Sequence, residues 1–511
     1  MADALLQLND YPAEPYFCDS LPLKFLKEQQ VFPLTLDENQ LSVAMADPTN
    51  MTTIDAIQLA TGYEVTGRPS SPEDILKAIT QLYDKHSAMG AIIGDMQPEN
   101  QELTQVLTDG HEEDDIKHLQ DVASEAPVIR LVNLIITRAL DARASDIHFE
   151  PFEGEFQVRY RIDGVLHNAE SPPAHLQAAI TSRIKIMAKL NIAERRLPQD
   201  GRIKLKIGGK HIDFRVSSLP TMYGESVVMR ILDRGNLALD LISLGFPNDI
   251  RLKLEKMIAR PYGMILVTGP TGSGKTTTLY ATLAKINSPE KKIITIEDPI
   301  EYQLRGVNQI QTKPEIGLSF ANGLRSIVRQ DPDIVMVGEI RDRETAEIAI
   351  QSALTGHLVF STLHTNDAPG AITRLLEMGI EDYLLASSII GVLAQRLVRL
   401  ICNECKVPFE PDPGFLKEYH AVVKHLSTPT FHRGKGCRRC SDTGYYGRSG
   451  IYELLPCTDD IRKLIIQRPE AKVLRDTALE QGMRTLREDG WRKIADGLTT
   501  IDEVRRVTQE D

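Results

Sequence analysis

Eight consecutive residues, Gly269-Pro270-Thr271-Gly272-Ser273-Gly274-Lys275-Thr276, have the G-x-x-x-x-G-K-[ST] spacing of a loop that wraps phosphates. The glycines let successive backbone N–H groups converge on phosphate oxygens. Lys275 reaches the β and γ oxygens, Thr276 can hold Mg2+, and Thr277 continues the opening turn of a helix whose N-terminus favours anions. Nucleotide hydrolysis also needs carboxylates that position Mg2+ and activate water. Two apolar runs end in such groups: residues 293–296 lead into Glu297-Asp298-Pro299-Ile300-Glu301, and residues 334–337 lead into Gly338-Glu339. A third run, 358–363, is opened by His357 and closed by His364, which is placed to sense a γ-phosphate.

A second chemistry lies further on. Cys402-x-x-Cys405 and Cys437-x-x-Cys440 are two CxxC pairs separated by 31 residues, the pattern of a tetrahedral zinc site with four cysteine ligands. Four thiolates leave no open coordination position, so the metal would be structural. Gly436 and Gly444 suit the tight turns of such knuckles, and no thioredoxin-like βαβ pattern surrounds either pair. Cys18 and Cys457 have no partner pattern and read as packed thiols.

The elements that must carry these groups are legible from periodicity. Residues 264–267 and 334–337 are continuous apolar runs, which suit strands of a parallel sheet buried on both faces, and a helix follows the Gly-rich loop to about Ile286. Upstream, Val128, Leu131, Val132, Ile135 and Leu140 make an amphipathic helix. Strands are expected over 156–160, 203–207 and 227–232, with a helix over 176–190, giving an α+β unit. Residues 1 to about 90 alternate short apolar runs with turn signals and close on a helix through Ile75, Ile79, Leu82 and Tyr83. Over residues 97–121, eight acids face a single lysine, the composition of a linker.

The chain of 511 residues is too long for one core, and 42 % hydrophobic with 25 % charged residues is ordinary for a folded multi-domain protein. The net charge of −12 argues against duplex DNA as the main partner. The N-terminus lacks a secretory signal pattern and no segment has about 18 predominantly apolar residues, so a cytoplasmic protein is expected.

Four segments together, GPTGSGKTTT (269–278), TIEDPIEY (295–302), LRSIVRQDPDIVMVGEIRD (324–342) and TGHLVFSTLHTND (355–367), resemble the nucleotide boxes of the secretion-superfamily hexameric ATPases. RASDIHFEP (143–151), RLPQDGRI (196–203) and FRVSSLPTMYGESVVMRIL (214–232) resemble the domain that precedes the motor there. The resemblance implies an α/β, multi-domain fold. A small N-terminal α/β module (1–95) and an acidic linker (96–125) would precede a PAS-like α+β domain (126–240) and a RecA-like P-loop motor (241–400). A tetracysteine zinc subdomain (401–445) and a C-terminal helical subdomain (446–511) would follow.

The same resemblance implies ATP, Mg2+ and Zn2+ as cofactors, Glu339 as the Walker B carboxylate near Mg2+, and Glu301 as the base that orients water, with Glu297 a rival for that duty. Arg202, Arg215 and Arg230 match arginines that the family sets against the nucleotide, some of them from a neighbouring subunit of a homohexamer. The tetracysteine knuckle resembles that of the type II secretion assembly and type IV pilus extension ATPases, and the N-terminal stretch resembles the type II secretion module. The implied partners are the cytoplasmic domain of an inner-membrane protein, docked through residues 1–95, and a platform membrane protein. Location at the inner membrane would be peripheral. The paired RLGxxL-type repeats through which some relatives bind cyclic di-GMP are lacking, and neither that ligand nor nucleic acid is expected.

Overall fold

The computed structural model describes residues 23–37, 39–79, 121–233, 240–411 and 430–508, with a few isolated positions outside those ranges. Two compact units emerge, residues 1–162 with 166–231 and residues 163–165 with 232–511. The acidic segment 97–121, all but its last residue, Cys18, and the expected helix positions Leu82 and Tyr83 lie outside the described residues.

In the first unit, β1 (Val31–Asp37), β2 (Gln40–Met45) and β3 (Glu64–Pro69) form a three-stranded sheet. β1 and β2 pair antiparallel, while the parallel β2–β3 pairing needs a crossover, which the helix Met51–Thr61 supplies. That helix starts because the Asn50 side chain accepts the Thr53 N–H, and stops at Gly62 in the left-handed region. β4 (Ala144–Phe152), β5 (Glu155–Ile162), β6 (Val165–Asn168), β7 (Gln199–Ile207), β8 (Lys210–Thr221) and β9 (Gly224–Asp233) form a second sheet in the order β6-β5-β4-β9-β8-β7. Alternate residues of its strands, such as Ile147, Phe149, Val158, Phe214, Val227 and Met229, share one core with the apolar stripes of the helices Ala126–Asp141 and Gln177–Ala188. All three expected strands and both expected helices are present.

The second unit holds β10 (Gly263–Thr268), β11 (Ile293–Glu297), β12 (Val307–Gln311), β13 (Ile334–Val337), β14 (Leu358–Leu363) and β15 (Ile389–Ile401). A short antiparallel pair, β16 (Lys406–Pro408) and β17 (His432–Gly434), precedes β18 (Tyr445–Pro456). The main sheet has the order β12-β11-β13-β14-β10-β15-β18, parallel from β12 to β15, with β18 antiparallel on β15. Every residue of β10, β13 and β14 is buried, which explains their unbroken apolar runs.

One expectation is corrected here. The segment 446–511 does not begin as helix: its first part belongs to β18, because Tyr445–Pro456 pairs with β15, buries seven consecutive residues (449–455) and completes the motor sheet. The helices Asp459–Ile466, Ala471–Glu480, Leu486–Ala495 and Ile501–Thr508 follow. Among the described residues no helix is long and apolar enough to cross a membrane.

Candidate active site and metal centre

β10 lies between β14 and β15, and its carboxyl end is level with the carboxyl end of β14 and the middle of β15, on the side of the parallel sheet where ligands usually bind. The 269–274 loop leaves there and opens into the helix Lys275–Ile286. Gly269 has φ 146°, and a side chain on it would meet the Gln395 carbonyl oxygen at 2.4 Å. Gly274 has φ 87°, and a Cβ there would sit 2.7 Å from Gln395 Nε2. Pro270, Thr271 and Gly272 are exposed, Ser273 is buried, and Thr276 and Thr277 are partly exposed.

Lys275 Nζ donates to the carbonyls of Gly269 at 2.8 Å and Pro270 at 3.0 Å, folding its charge back on its own loop. Burial lowers its ammonium to about 8; Glu339 opposes the shift and Arg396 adds to it. A phosphate arriving in this loop would replace two carbonyl dipoles with a full negative charge.

Glu339 is mostly buried just past β13, with Oε2 3.3 Å from His364 Nε2 and Oε1 2.5 Å from Arg341 Nη2. The structure therefore brings Lys275, Glu339 and His364 together at the ends of β10, β13 and β14. His357 does something else: its Nδ1 lies 2.8 Å from the Ser352 carbonyl, at the close of the helix Arg343–Leu354.

The two glutamates that follow the apolar run of β11 are now distinct. Glu297 is buried and its carboxylate is filled by Tyr280, by Thr295 Oγ1 at 2.5 Å and by Gln309 Nε2 at 3.2 Å. Glu301 is partly exposed, four residues further along the loop. Arg202, Arg215 and Arg230 belong to the first unit. Arg202 and Arg215 are directly opposed across β7 and β8, and Arg230 Nε donates to Asp146 Oδ1 at 2.9 Å.

Several residues of the site were not singled out in the sequence. Gln395 accepts from Thr278 Oγ1 at 2.8 Å and donates to the Ser273 carbonyl at 2.6 Å, holding the phosphate loop from beneath. Its signal was a polar residue inside the apolar run of β15. Thr268 Oγ1 lies 2.7 Å from Thr365 Oγ1 and accepts the Thr365 N–H at 2.9 Å, tying the loop after His364 to the end of β10. That loop continues through Asn366, bonded by Arg396 Nη2 at 3.0 Å, to Asp367, paired with Arg475.

Beneath it, buried Glu453 accepts the Ala368 N–H at 2.8 Å. Burial raises the Glu453 carboxyl from 4.5 to about 7. Because the folded value lies above the unfolded one, its contribution to stability is complete below about pH 4.5 and is lost as pH rises through about 7. At about 1.4 kcal/mol per pH unit this is worth roughly 3 kcal/mol. Glu453→Gln should accordingly unfold at nearly the same temperature as wild type at pH 5 but higher at pH 8. An identical pH profile for the two proteins would remove Glu453 from the account.

The four knuckle sulphurs lie within 4.8 Å of one another, with Cys402–Cys437 at 3.8 Å, Cys405–Cys440 at 3.9 Å and Cys437–Cys440 at 3.7 Å. Tetrahedral zinc with bonds of about 2.3 Å requires sulphurs about 3.8 Å apart, so the donor set fits that ion. Gly436 and Gly444 both have positive φ, 97° and 74°, as the turns require.

The sequence model of the type II/IV secretion system protein family matches residues 121–506, and that of the MshEN domain matches residues 4–89. The chain belongs to the type II/IV secretion system protein family. This family member is a P-loop ATPase. It is 51 % identical over 506 residues to a type II secretion system protein E of Xanthomonas campestris, covering 99 % of this chain and 88 % of that one. It is 48 % identical over 509 residues to the type IV pilus assembly ATPase PilB of Myxococcus xanthus, covering 99 % and 89 %. Among solved structures, the pilus retraction motor PilT with bound ADP aligns at a TM-score of 0.51 and 28 % identity, covering 74 % of this chain and 96 % of that one.

Proposed function

We propose that this ATPase works as a homohexamer at the cytoplasmic face of the inner membrane and couples Mg-ATP hydrolysis to pseudopilus assembly in a type II secretion system. The observation that carries the reading is the correspondence with a type II secretion system protein E along 99 % of this chain, the N-terminal region included. Residues 1–95 would dock on the cytoplasmic domain of an inner-membrane partner, with a platform membrane protein as the second contact.

In the motor, the 269–274 loop and Lys275 bind the phosphates, and His364 reports on the γ-phosphate through its contact with Glu339. Thr276 and Glu339 are the residues to hold magnesium, which when bound neutralises charge on the β- and γ-phosphates. Glu301, the partly exposed carboxylate of its pentapeptide, accepts the proton of the attacking water. Arg202, Arg215 and Arg230 supply positive charge to the transferring phosphoryl group, a role that suits two arginines held directly opposite each other. Cys402, Cys405, Cys437 and Cys440 hold zinc as a fold-stabilising clip.

The 48 % identity to a pilus assembly ATPase favours a second reading, pilus extension. A chromosomal Lys275→Ala replacement separates the two when secreted proteins and surface pili are assayed in parallel. Loss of export with normal pili is the expected result. Loss of pili with normal export would make the chain a pilus motor.

A further inference from the structure

Tyr280 lies four residues beyond Thr276 on the helix that opens from the phosphate loop, so both share one helix face, and Tyr280 is fully buried. Its hydroxyl donates to Glu297 Oε2. Burial, and then the Glu297 charge, push the phenol above its ordinary value, which favours the protonated hydroxyl as the donor. Thr295 Oγ1, 2.5 Å away, and Gln309 Nε2, 3.2 Å away, donate to the other oxygen of Glu297. Gln309 on β12 does more. Its Nε2 also donates to the Tyr302 carbonyl at 2.9 Å, and its Oε1 accepts the Leu304 N–H at 2.7 Å. The rings of Tyr280 and Tyr302 meet edge-on at 6.3 Å.

The backbone immediately after Glu301 is thereby held by Gln309, which is held by Glu297, which is held by the phosphate-loop helix. A buried carboxylate is an expensive way to fill a core, and apolar side chains would pack the same space at lower cost. What the carboxylate adds is direction: three donors from three different elements leave the turn between β11 and β12 one geometry. A catalytic base needs that, since misplacement by about 1 Å can cost about a hundredfold in rate.

We propose that Tyr280, Glu297 and Gln309 form a clamp that positions Glu301 relative to the phosphate loop. They are positioning residues, distinct from the base itself, and the inference rests on Glu301 being that base. The clamp acts on the chemical step and leaves nucleotide binding to residues 269–276.

The test uses the full chain, with single-turnover ATP hydrolysis and the affinity for a fluorescent ATP analogue measured for Glu301→Gln, Gln309→Met and Tyr280→Phe. Gln309→Met should slow hydrolysis about 10–100-fold while affinity stays within about twofold. Loss of packing alone would lower the folded fraction without producing that split. If Gln309→Met does not fold, Tyr280→Phe, which deletes one hydroxyl, decides the matter by the same split. Hydrolysis within twofold of wild type in the folded clamp variant, beside an inactive Glu301→Gln, overturns the clamp and leaves the base standing. A nearly active Glu301→Gln overturns both.

Discussion

Glu301→Gln should bind ATP with nearly unchanged affinity and hydrolyse it about 10²–10⁴-fold more slowly, the range for losing a positioned base. Glutamine keeps the size and hydrogen-bonding reach of the side chain but cannot take a proton from water. The phosphate loop, Lys275 and Thr276 are untouched, so ground-state binding persists while the transition state loses its acceptor. Equilibrium binding and single-turnover hydrolysis on the same preparation check both halves. A loss of less than tenfold would exclude Glu301 as the base. Glu297 would be a poor heir, since its carboxylate is buried and already occupied by Tyr280, Thr295 and Gln309.

The contrast between Glu297 and Glu301 shows what the sequence could and could not convey. Both lie in one pentapeptide, and spacing alone gives either the same access to water. Burial separates them, and it depends on Tyr280 and Gln309, which no local motif links to Glu297. Gln395 was missed for the same reason: its partners Thr278 and Ser273 lie more than a hundred residues away in the chain, and only the β10–β15 pairing brings them near. The phosphate loop and the CxxC pairs were legible because their geometry is local. Parallel strands buried on both faces announced themselves as unbroken apolar runs, as in β10 and β13. β18 was hidden among helices because it pairs across the whole cysteine-bearing insertion, and a single strand on the far side of an insertion carries no periodicity that points to its partner. Arg202 and Arg215 were legible as residues, and their opposition across β7 and β8 became visible only with the register.

Removing zinc from the knuckle should cost the ATPase unit about 3–4 kcal/mol, by the loop-closure reasoning that applies to a cross-link of this span. β15 and β18 are adjacent antiparallel strands, yet residues 402–444 intervene between them, so the chain must close a long loop to complete its sheet. A zinc shared by Cys402, Cys405, Cys437 and Cys440 would hold the two ends of that loop together in the folded chain, and because it leaves the cysteines on unfolding its binding free energy counts toward the fold. The joint is also mechanical: the Cys402 N–H donates to the Gly444 carbonyl at 3.0 Å, and the Ile401 N–H to the Leu498 carbonyl at 2.9 Å, so the knuckle braces the end of β15 against the C-terminal helices. Protein purified without chelators should carry one zinc per chain, and Cys437→Ser should lose it and unfold roughly 10 °C lower. The same variant should retain ATP binding when folded, because Lys275 and its loop are carried by β10 and draw no ligand from the knuckle. Metal analysis that finds no zinc in the wild type, or a Cys437→Ser variant with unchanged zinc content and melting, would refute the centre. A variant that melts lower but keeps its zinc would instead mean that the cysteines stabilise the insertion by packing, with the three remaining thiolates enough to hold the ion.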